Sequence, residues 1–515
     1  MSNSSSFGSD DFVTLPVGED YTKLLTKKSL EFHQKFADKF QLHEKGYKKD
    51  EIEIAKAALS NMLGSIGYFY GSSRVQSVHT KGPVPYWKAP LLTGVPSRSF
   101  FPRGFVWDEG FHGLLISTWD IDFELDIISH WFDLMNIEGW IPREQILGVE
   151  ALARVPEEFV TQHNTNGNPP TFFLVLKRLL DKYPEEMMKN NRMDVLDRLF
   201  PRLHAWFSWF NVTQKGEQLG TYRWRGRNDQ SITELNPKTL TSGLDDFPRS
   251  SHPTESERHV DLRCWIAYAA GVMVQLGQLL GKDTEKYEET YYFLSDNKLL
   301  HEHHYSVKSK TFADWGLHSD SVSLKRPPTP PQSTSNRNNY QNQQQQPDMV
   351  RVVHGNPELK YVDSSFGYVS LFPFLLQIID ANSPSLGVIF NRIRDKEQLW
   401  TNYGLRSLSK SAPLYLKRNT EHDPPYWRGQ IWININYLVL KSLHYYMNHP
   451  DCPYSEQAKV IYAELRHNVV GNIIKQYKET GYIWEQYNDQ NGKGSGCYPF
   501  TGWSALFVLI MSEKY

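Results

Sequence analysis

A chain of 515 residues carries 56 Lys+Arg against 58 Asp+Glu, a formal net charge of -2. With no concentrated positive field, nucleic acid and anionic membrane surfaces are poor candidate partners. No apolar run reaches the ~18 residues of a membrane-spanning segment, and three distant cysteines, Cys264, Cys452 and Cys497, lack the spacing of a zinc site or a disulfide framework.

The predicted elements, in chain order, begin with residues 1 to about 15, polar and acidic, read as disordered and lacking the apolar region of a signal peptide. Helical apolar spacing follows over 21–40 and 51–70. The string FFPRGFVWDEGFH, Phe100 to His112, then opens a helical stretch over 109–135 and places Arg103, Trp107, Asp108, Glu109 and His112 just before it. Acids at a helix start complement the macrodipole; that accounts for two carboxylates but not for the flanking Arg, Trp and His. Next comes GWIPREQILGVEA, Gly139 to Ala151, with Arg143, Glu144, Gln145 and Glu150. Taken alone it reads as a polar loop. Helical spacing resumes over 171–187 and 198–211, ending at Asn211-Val212-Thr213, which fits the N-glycosylation pattern.

The loop TSGLDDFPRS, Thr241 to Ser250, is followed by ERHVDLRCW, Glu257 to Trp265. From there Leu262, Trp265, Ile266, Ala269, Met273, Leu276 and Leu280 mark one face of a helix. Glu257 and Asp261 lie one turn apart, interleaved with Arg258 and Arg263, the pattern of a salt-bridge ladder. After a helix over 284–300, His301, His303 and His304 are spaced so that they do not share a helix face, so no metal site is assigned. Residues 326–348, rich in Pro, Gln and Asn, read as a low-complexity surface insertion within one domain spanning 16–515. Helical patterning returns over 365–380, 430–448, 456–477 and 498–512. Two more dense loops interrupt it: PPYWRGQIWININY with Trp427 and Arg428, and GYIWEQYNDQNGKGSG with Glu485 between Trp484 and Tyr487.

An even series of amphipathic helices with uneven loops suggests hairpins packed around a centre. Acids set among aromatics at helix ends suit glycosidic cleavage, which needs one carboxyl protonated to donate to the leaving oxygen and one ionised to activate water or to attack. Trp makes up 15 residues, and indole suits both sugar faces and large cores. The residues alone leave the acid pair open among several candidates. No GxSxG, Walker-type or GxGxxG string occurs, so serine-hydrolase and nucleotide-binding chemistries lack support.

The strings FPRGFVWDEGFH, GWIPREQILG, SGLDDFPR, ERHVDLRCW, PYWRGQIW and WEQY, in this order, closely resemble the processing α-glucosidases of glycoside hydrolase family 63 (mannosyl-oligosaccharide glucosidases). The resemblance implies an all-α fold, an (α/α)6 toroid or six-hairpin barrel, here as the catalytic domain only. It implies an inverting exo-hydrolase that removes the terminal α-1,2-linked glucose of the Glc3Man9GlcNAc2 N-glycan precursor, with Asp245 as general acid, Glu485 as general base and no cofactor. Substrate contacts are implied for Arg103, Trp107 and Asp108, and for Arg143, Glu257, Asp261, Trp427, Arg428 and Trp484. The partner implied is a glucosylated high-mannose N-glycan. Location on the lumenal side of the endoplasmic reticulum is implied too; relatives are membrane-anchored, but no signal or anchor is visible in this chain, and whether it is full length stays open. Two other readings stand beside this one: a catalytically silent glycan-binding protein, and another toroid glycosidase such as a trehalase-like enzyme.

Overall fold

The computed structural model describes residues 16–328 and 347–515. The readings made of residues 1–15 and of most of the 326–348 insertion lie outside the described residues. Thirteen main helices carry the fold: α1 Gly18–Phe40, α2 Lys49–Ser65, α3 Val106–Trp119, α4 Ile121–Asp133, α5 Phe172–Lys182, α6 Arg192–Thr213 and α7 Val260–Leu280 in the first half. The second half adds α8 Glu285–Ser295, α9 Tyr368–Leu375, α10 Pro384–Arg394, α11 Ile433–Met447, α12 Ser455–Thr480 and α13 Phe507–Ser512.

Contacts run in a circuit. α3 packs on α5, α5 on α7, α7 on α9 and α9 on α11; α11 meets the single turn Trp503–Leu506 that leads into α13, and that turn returns to α3. The remaining helices lie against this ring, α4 beside α3, α6 and α8 beside α7, and α12 beside α11. The protein is therefore a helical toroid. Among the described residues no helix is long and apolar enough to cross a membrane.

The ring explains a difference from the sequence reading of α7. One apolar face is legible in the spacing, yet the unbroken run from Val260 to Ala270 is buried. α9 and α13 are buried along their whole length. A helix walled by ring neighbours on two sides and by outer helices behind has no solvent face left, so its polar residues must be paired. α7 ends at Gly281, whose φ of 64° supplies the left-handed cap.

Boundaries also differ. The stretch 109–135 is two helices, broken at Asp120, whose side chain accepts from Phe123 N–H to start α4. The stretch 51–70 ends as a helix at Ser65; Ile66–Gly71 is a strand paired antiparallel with Ala89–Gly94. The run Tyr68–Phe69–Tyr70 between Gly67 and Gly71, aromatic residues flanked by glycines, fits a strand better than a final helical turn. Cys264, Cys452 and Cys497 are all buried and unbonded.

Polar order inside the ring centres on Arg249, which is 0% exposed. Its guanidinium holds Asp261 Oδ2 at 2.6 Å and Asp314 Oδ2 at 2.9 Å. Asp314 in turn accepts from the Val260 N–H at 2.9 Å, and Asp261 from Trp224 Nε1 at 3.1 Å. Arg249→Met leaves two carboxylates buried without their cation, a loss of about 3–5 kcal/mol. A thermal melt should show a midpoint lowered by several degrees, whereas Lys23→Ala, which breaks only exposed pairs with Glu19 and Asp20, should leave it unchanged.

Candidate active site

The dense loops converge at one end of the ring around a cavity of ≈ 170 Å³. The loop Thr241–Ser250 enters it through a short 3-10 turn, Leu240–Ser242, and turns at Gly243 with φ 75°. A Cβ on Gly243 would stand 2.5 Å from the Trp107 ring, so only glycine meets both demands. Asp245 comes next, its carbonyl accepting from Thr239 N–H at 2.8 Å and its side chain facing the cavity.

Its neighbour Asp246 faces the other way. The Asp246 carboxylate accepts from the backbone N–H groups of Tyr426 at 3.0 Å and Trp427 at 2.6 Å. Arg428 reaches the Asp246 carbonyl at 2.7 Å and Asn419 Oδ1 at 2.6 Å. Two loops some 180 positions apart in sequence (426 − 246) are thus stitched together directly beside Asp245. Burial pushes the Asp245 carboxyl up to about 7, with Asp246 and Glu144 adding to the rise and Arg143 and Lys238 opposing it.

Glu485 lines the same cavity and is 5% exposed. The Tyr426 hydroxyl donates to its Oε1, and the Cys497 N–H donates to its Oε2 at 2.9 Å. Burial raises this carboxyl above its ordinary value, while those hydrogen bonds to the ionised form hold it back. Burial also holds the Tyr426 hydroxyl protonated, and the charges of Glu485 and Asp245 reinforce this, so the phenol remains a donor. The turn after Glu485 is as tight as that before Asp245. Gly496 has φ 75°, and a Cβ there would lie 2.4 Å from Glu485 Oε2.

Around the two acids the walls are aromatic and cationic. Trp427 stacks on Trp432 with centroids 3.9 Å apart and planes 7° from parallel, and Trp107 meets Trp503 edge-on at 5.3 Å. Glu144 pairs with both Arg103, at 2.8 Å, and Arg143. Within this buried shell Arg103 Nη1, Trp427 Nε1 and Trp503 Nε1 find no acceptor on the protein. Buried donors without partners cost free energy unless a ligand supplies oxygens. Asp108, 6% exposed at the start of α3, adds an acceptor-bearing carboxyl that burial, then Glu109 beside it, pushes well above the usual range. The site can therefore hold a hydroxyl-rich ring between indoles and offers two carboxyls in unlike settings.

Of the residues given a site role in the sequence, Arg103, Trp107, Asp108, Arg143, Asp245, Trp427 and Glu485 line this cavity. Glu257, Asp261, Arg428 and Trp484 do not. Glu257 is buried behind it, paired with Arg227 and the Ser250 hydroxyl; against the upward pull of burial, Arg227 and then His259 bring it down to about 2. Asp261 belongs to the Arg249 network, and Arg428 to the Asp246 stitch. The ladder expected among Glu257, Arg258, Asp261 and Arg263 is absent as such, because both acids pair with arginines of the preceding segment, Arg227 and Arg249. Trp484 packs on Tyr498, centroids 4.1 Å apart, and donates to Thr480 Oγ1. Tyr426, Asp246 and Trp503 went unmarked in the sequence. Tyr426 stands beside a marked Trp, but only the backbone turn shows which of the two reaches Glu485.

Comparison with known proteins places the chain. The family profile described as "Glycosyl hydrolase family 63 C-terminal domain" matches residues 16–513. Mannosyl-oligosaccharide glucosidase GCS1 of Arabidopsis thaliana is 49% identical over 517 residues, covering 98% of this chain and 59% of the relative. Alpha-glucosidase 2 of the same plant is 45% identical, covering 97% and 63%. Mannosyl-oligosaccharide glucosidase of Saccharomyces cerevisiae is 31% identical, covering 96% and 62%. The chain thus spans about three fifths of the length of these relatives. In fold it is similar to the GH63 mannosylglycerate hydrolase from Thermus thermophilus solved with glucose, with a TM-score of 0.54 at 16% identity over 82% of this chain and 96% of that one. It also resembles the neutral trehalase Nth1 of Saccharomyces cerevisiae, with a TM-score of 0.50 at 11% identity over 89% and 80%. From residue 16 to residue 513, the chain belongs to glycosyl hydrolase family 63.

Proposed function

We propose that this protein is an inverting exo-α-glucosidase that removes the terminal α-1,2-linked glucose of the Glc3Man9GlcNAc2 N-glycan precursor. One observation carries the reading: Asp245 and Glu485 line a single aromatic cavity in unlike settings. Asp245, raised to about 7, holds a proton to give to the glycosidic oxygen. Glu485, oriented by the Tyr426 hydroxyl and the Cys497 N–H, takes a proton from the attacking water. An inverting pair stands ~6.5–9.5 Å apart so that the water fits between carboxylate and sugar. The names of the relatives support the substrate class. The ring of helices, with outer helices packed on α3, α7 and α11, supports an (α/α)6 reading. Residence in the endoplasmic reticulum lumen is part of the proposal through those relatives.

Arg103, Trp107, Asp108, Arg143 and Trp427 then serve as contacts for the glucose ring. In that role the free donors on Arg103 and Trp427 meet sugar hydroxyls, and indole faces cover the C–H faces.

Asp245→Asn and Glu485→Gln should each lower turnover of an α-1,2-linked glucose disaccharide by ~10²–10⁴-fold with the fold intact. Glucose released by the wild type should appear first as the β-anomer in NMR; initial α-anomer rules out inversion. The profile of kcat/KM against pH should be bell-shaped. Activity needs Glu485 ionised and Asp245 protonated, so it rises through the elevated Glu485 value and falls as pH passes about 7. Tyr426→Phe removes a hydrogen bond that favours the Glu485 anion, so the acidic limb should move to higher pH while the alkaline limb stays near 7. An unmoved acidic limb would contradict the assigned role of the phenol.

A further inference from the structure

A second polar hollow, of ≈ 140 Å³, lies at the end of the ring away from the catalytic cavity. α3, α5 and α11 begin beside that cavity, where Trp107, Asn168 and Trp427 line it, and run away from it. Residues further along the same helices wall the hollow: Leu114 on α3, Lys177, Arg178, Asp181 and Lys182 on α5, and Lys441 on α11. Lys441 stands eight residues beyond Ile433 (441 − 433), which is ~12 Å along the helix. The two sites are separate.

The charges of this wall do not balance. It carries four cations, Lys177, Arg178, Lys182 and Lys441, and one acid, Asp181. Asp181 is already taken, by the Lys177 Nζ at 2.7 Å to both oxygens and by Gln275 at 3.0 Å. That contact is the wall's one ion pair among the described residues. Arg178 donates to neutral oxygens, the Lys514 carbonyl at 2.9 Å and Thr118 Oγ1 at 2.8 Å. It is 5% exposed, and its Nε finds no acceptor. The Lys441 Nζ lies 5.6 Å from the centre of the Tyr268 ring, whose buried hydroxyl is itself unpartnered. Burial, then the charges of Lys177 and Arg178, pull the Lys441 ammonium down to about 8 against the opposing Asp181. Helix ends offset only part of this. α5, α9 and α11 finish near the hollow and contribute roughly half a negative charge each. Against a net charge of +3 (4 − 1), about one to two positive charges remain.

We propose that this hollow binds a phosphate group, held by Arg178, Lys182 and Lys441 between the far ends of α5 and α11. A phosphate group carries about −1.5 to −2 charge at pH 7 and presents several acceptor oxygens, which matches the residual charge and the free donors of the wall. Crowded cations without counter-charge cost free energy, and a bound anion relieves it. The site takes no part in glycoside cleavage and does not depend on that reading. α5 and α11 are not neighbours in the circuit of the ring. An anion bridging them therefore braces the ring across its centre, and its effect falls on stability.

The test titrates inorganic phosphate into the full chain at constant ionic strength, followed by phosphorus NMR line width and by thermal melting. The wild type should bind with a Kd on the order of 1 mM, and its melting midpoint should rise by about 1–2 °C at ten times that concentration. Lys441→Met and Lys182→Gln should each weaken binding about tenfold and lose the rise. Lys182 is exposed, so its variant keeps the test open should Lys441→Met fail to fold. Glycerol phosphate in a parallel titration separates the sources: tighter binding than inorganic phosphate assigns the group to an ester, weaker binding to the free ion, and both support the site. Arg143→Gln, in the catalytic cavity, should bind phosphate as the wild type does. No binding of either probe by the wild type, or unchanged binding in both lysine variants, overturns the proposal. Binding lost in Arg143→Gln but kept in the lysine variants does so too, by placing the anion in the catalytic cavity.

Discussion

Everything at the site depends on how the Asp246 carboxylate is held. By accepting from the Tyr426 and Trp427 N–H groups it locks the Thr241–Ser250 loop to the loop that precedes α11. Asp245 then has no freedom to turn away from the cavity, and Tyr426 has none to leave Glu485. The charge-assisted bonds, 2.6 and 3.0 Å long, are largely shielded from solvent, a setting that strengthens such contacts. Behind them Arg249 fixes the far end of the same loop to α7 through Asp261 and Asp314. The acid thus sits between two anchors, one on each side in sequence.

That rigidity has an electrostatic consequence. Two carboxyls in one small cavity would ordinarily repel and drift toward similar behaviour. Here the protein gives them different partners. Glu485 receives a phenol and a backbone N–H, both of which favour its anion. Asp245 has burial and the nearby acids Asp246 and Glu144 on one side, Arg143 and Lys238 on the other, and settles near neutrality. The separation of roles comes from backbone geometry as much as from side-chain identity, since Gly243 and Gly496 are the turns that let each acid approach.

Part of this was legible in the residues and part was not. Helical spacing announced most of the ring, because a residue with neighbours at three and four positions must bury a stripe whatever its tertiary context. It missed the breaks at Asp120 and Ser65, where a capping carboxylate and a glycine-flanked aromatic run outweigh the local spacing. The motif loops converge on one cavity, lined by seven of the residues given a site role in the sequence. Glu257, Asp261 and Arg428 carry the same residue types in the same strings yet face inward to protein partners outside those strings, at Arg227, Arg249 and Asn419. Residue type announces polarity; only the closed ring decides whether a polar group meets ligand or another side chain.

In the proposed reaction Asp245 and Glu485 act on one sugar from opposite sides, which a crystal structure of the Asp245→Asn protein with an uncleaved α-1,2-linked glucose disaccharide would show. The glycosidic oxygen should lie within hydrogen-bonding reach of the side chain at position 245, with a water held by Glu485 on the opposite face of the terminal ring and the two side chains ~6.5–9.5 Å apart. A disaccharide bound outside the cavity, or a Glu485 carboxylate on the same face as position 245, would contradict it.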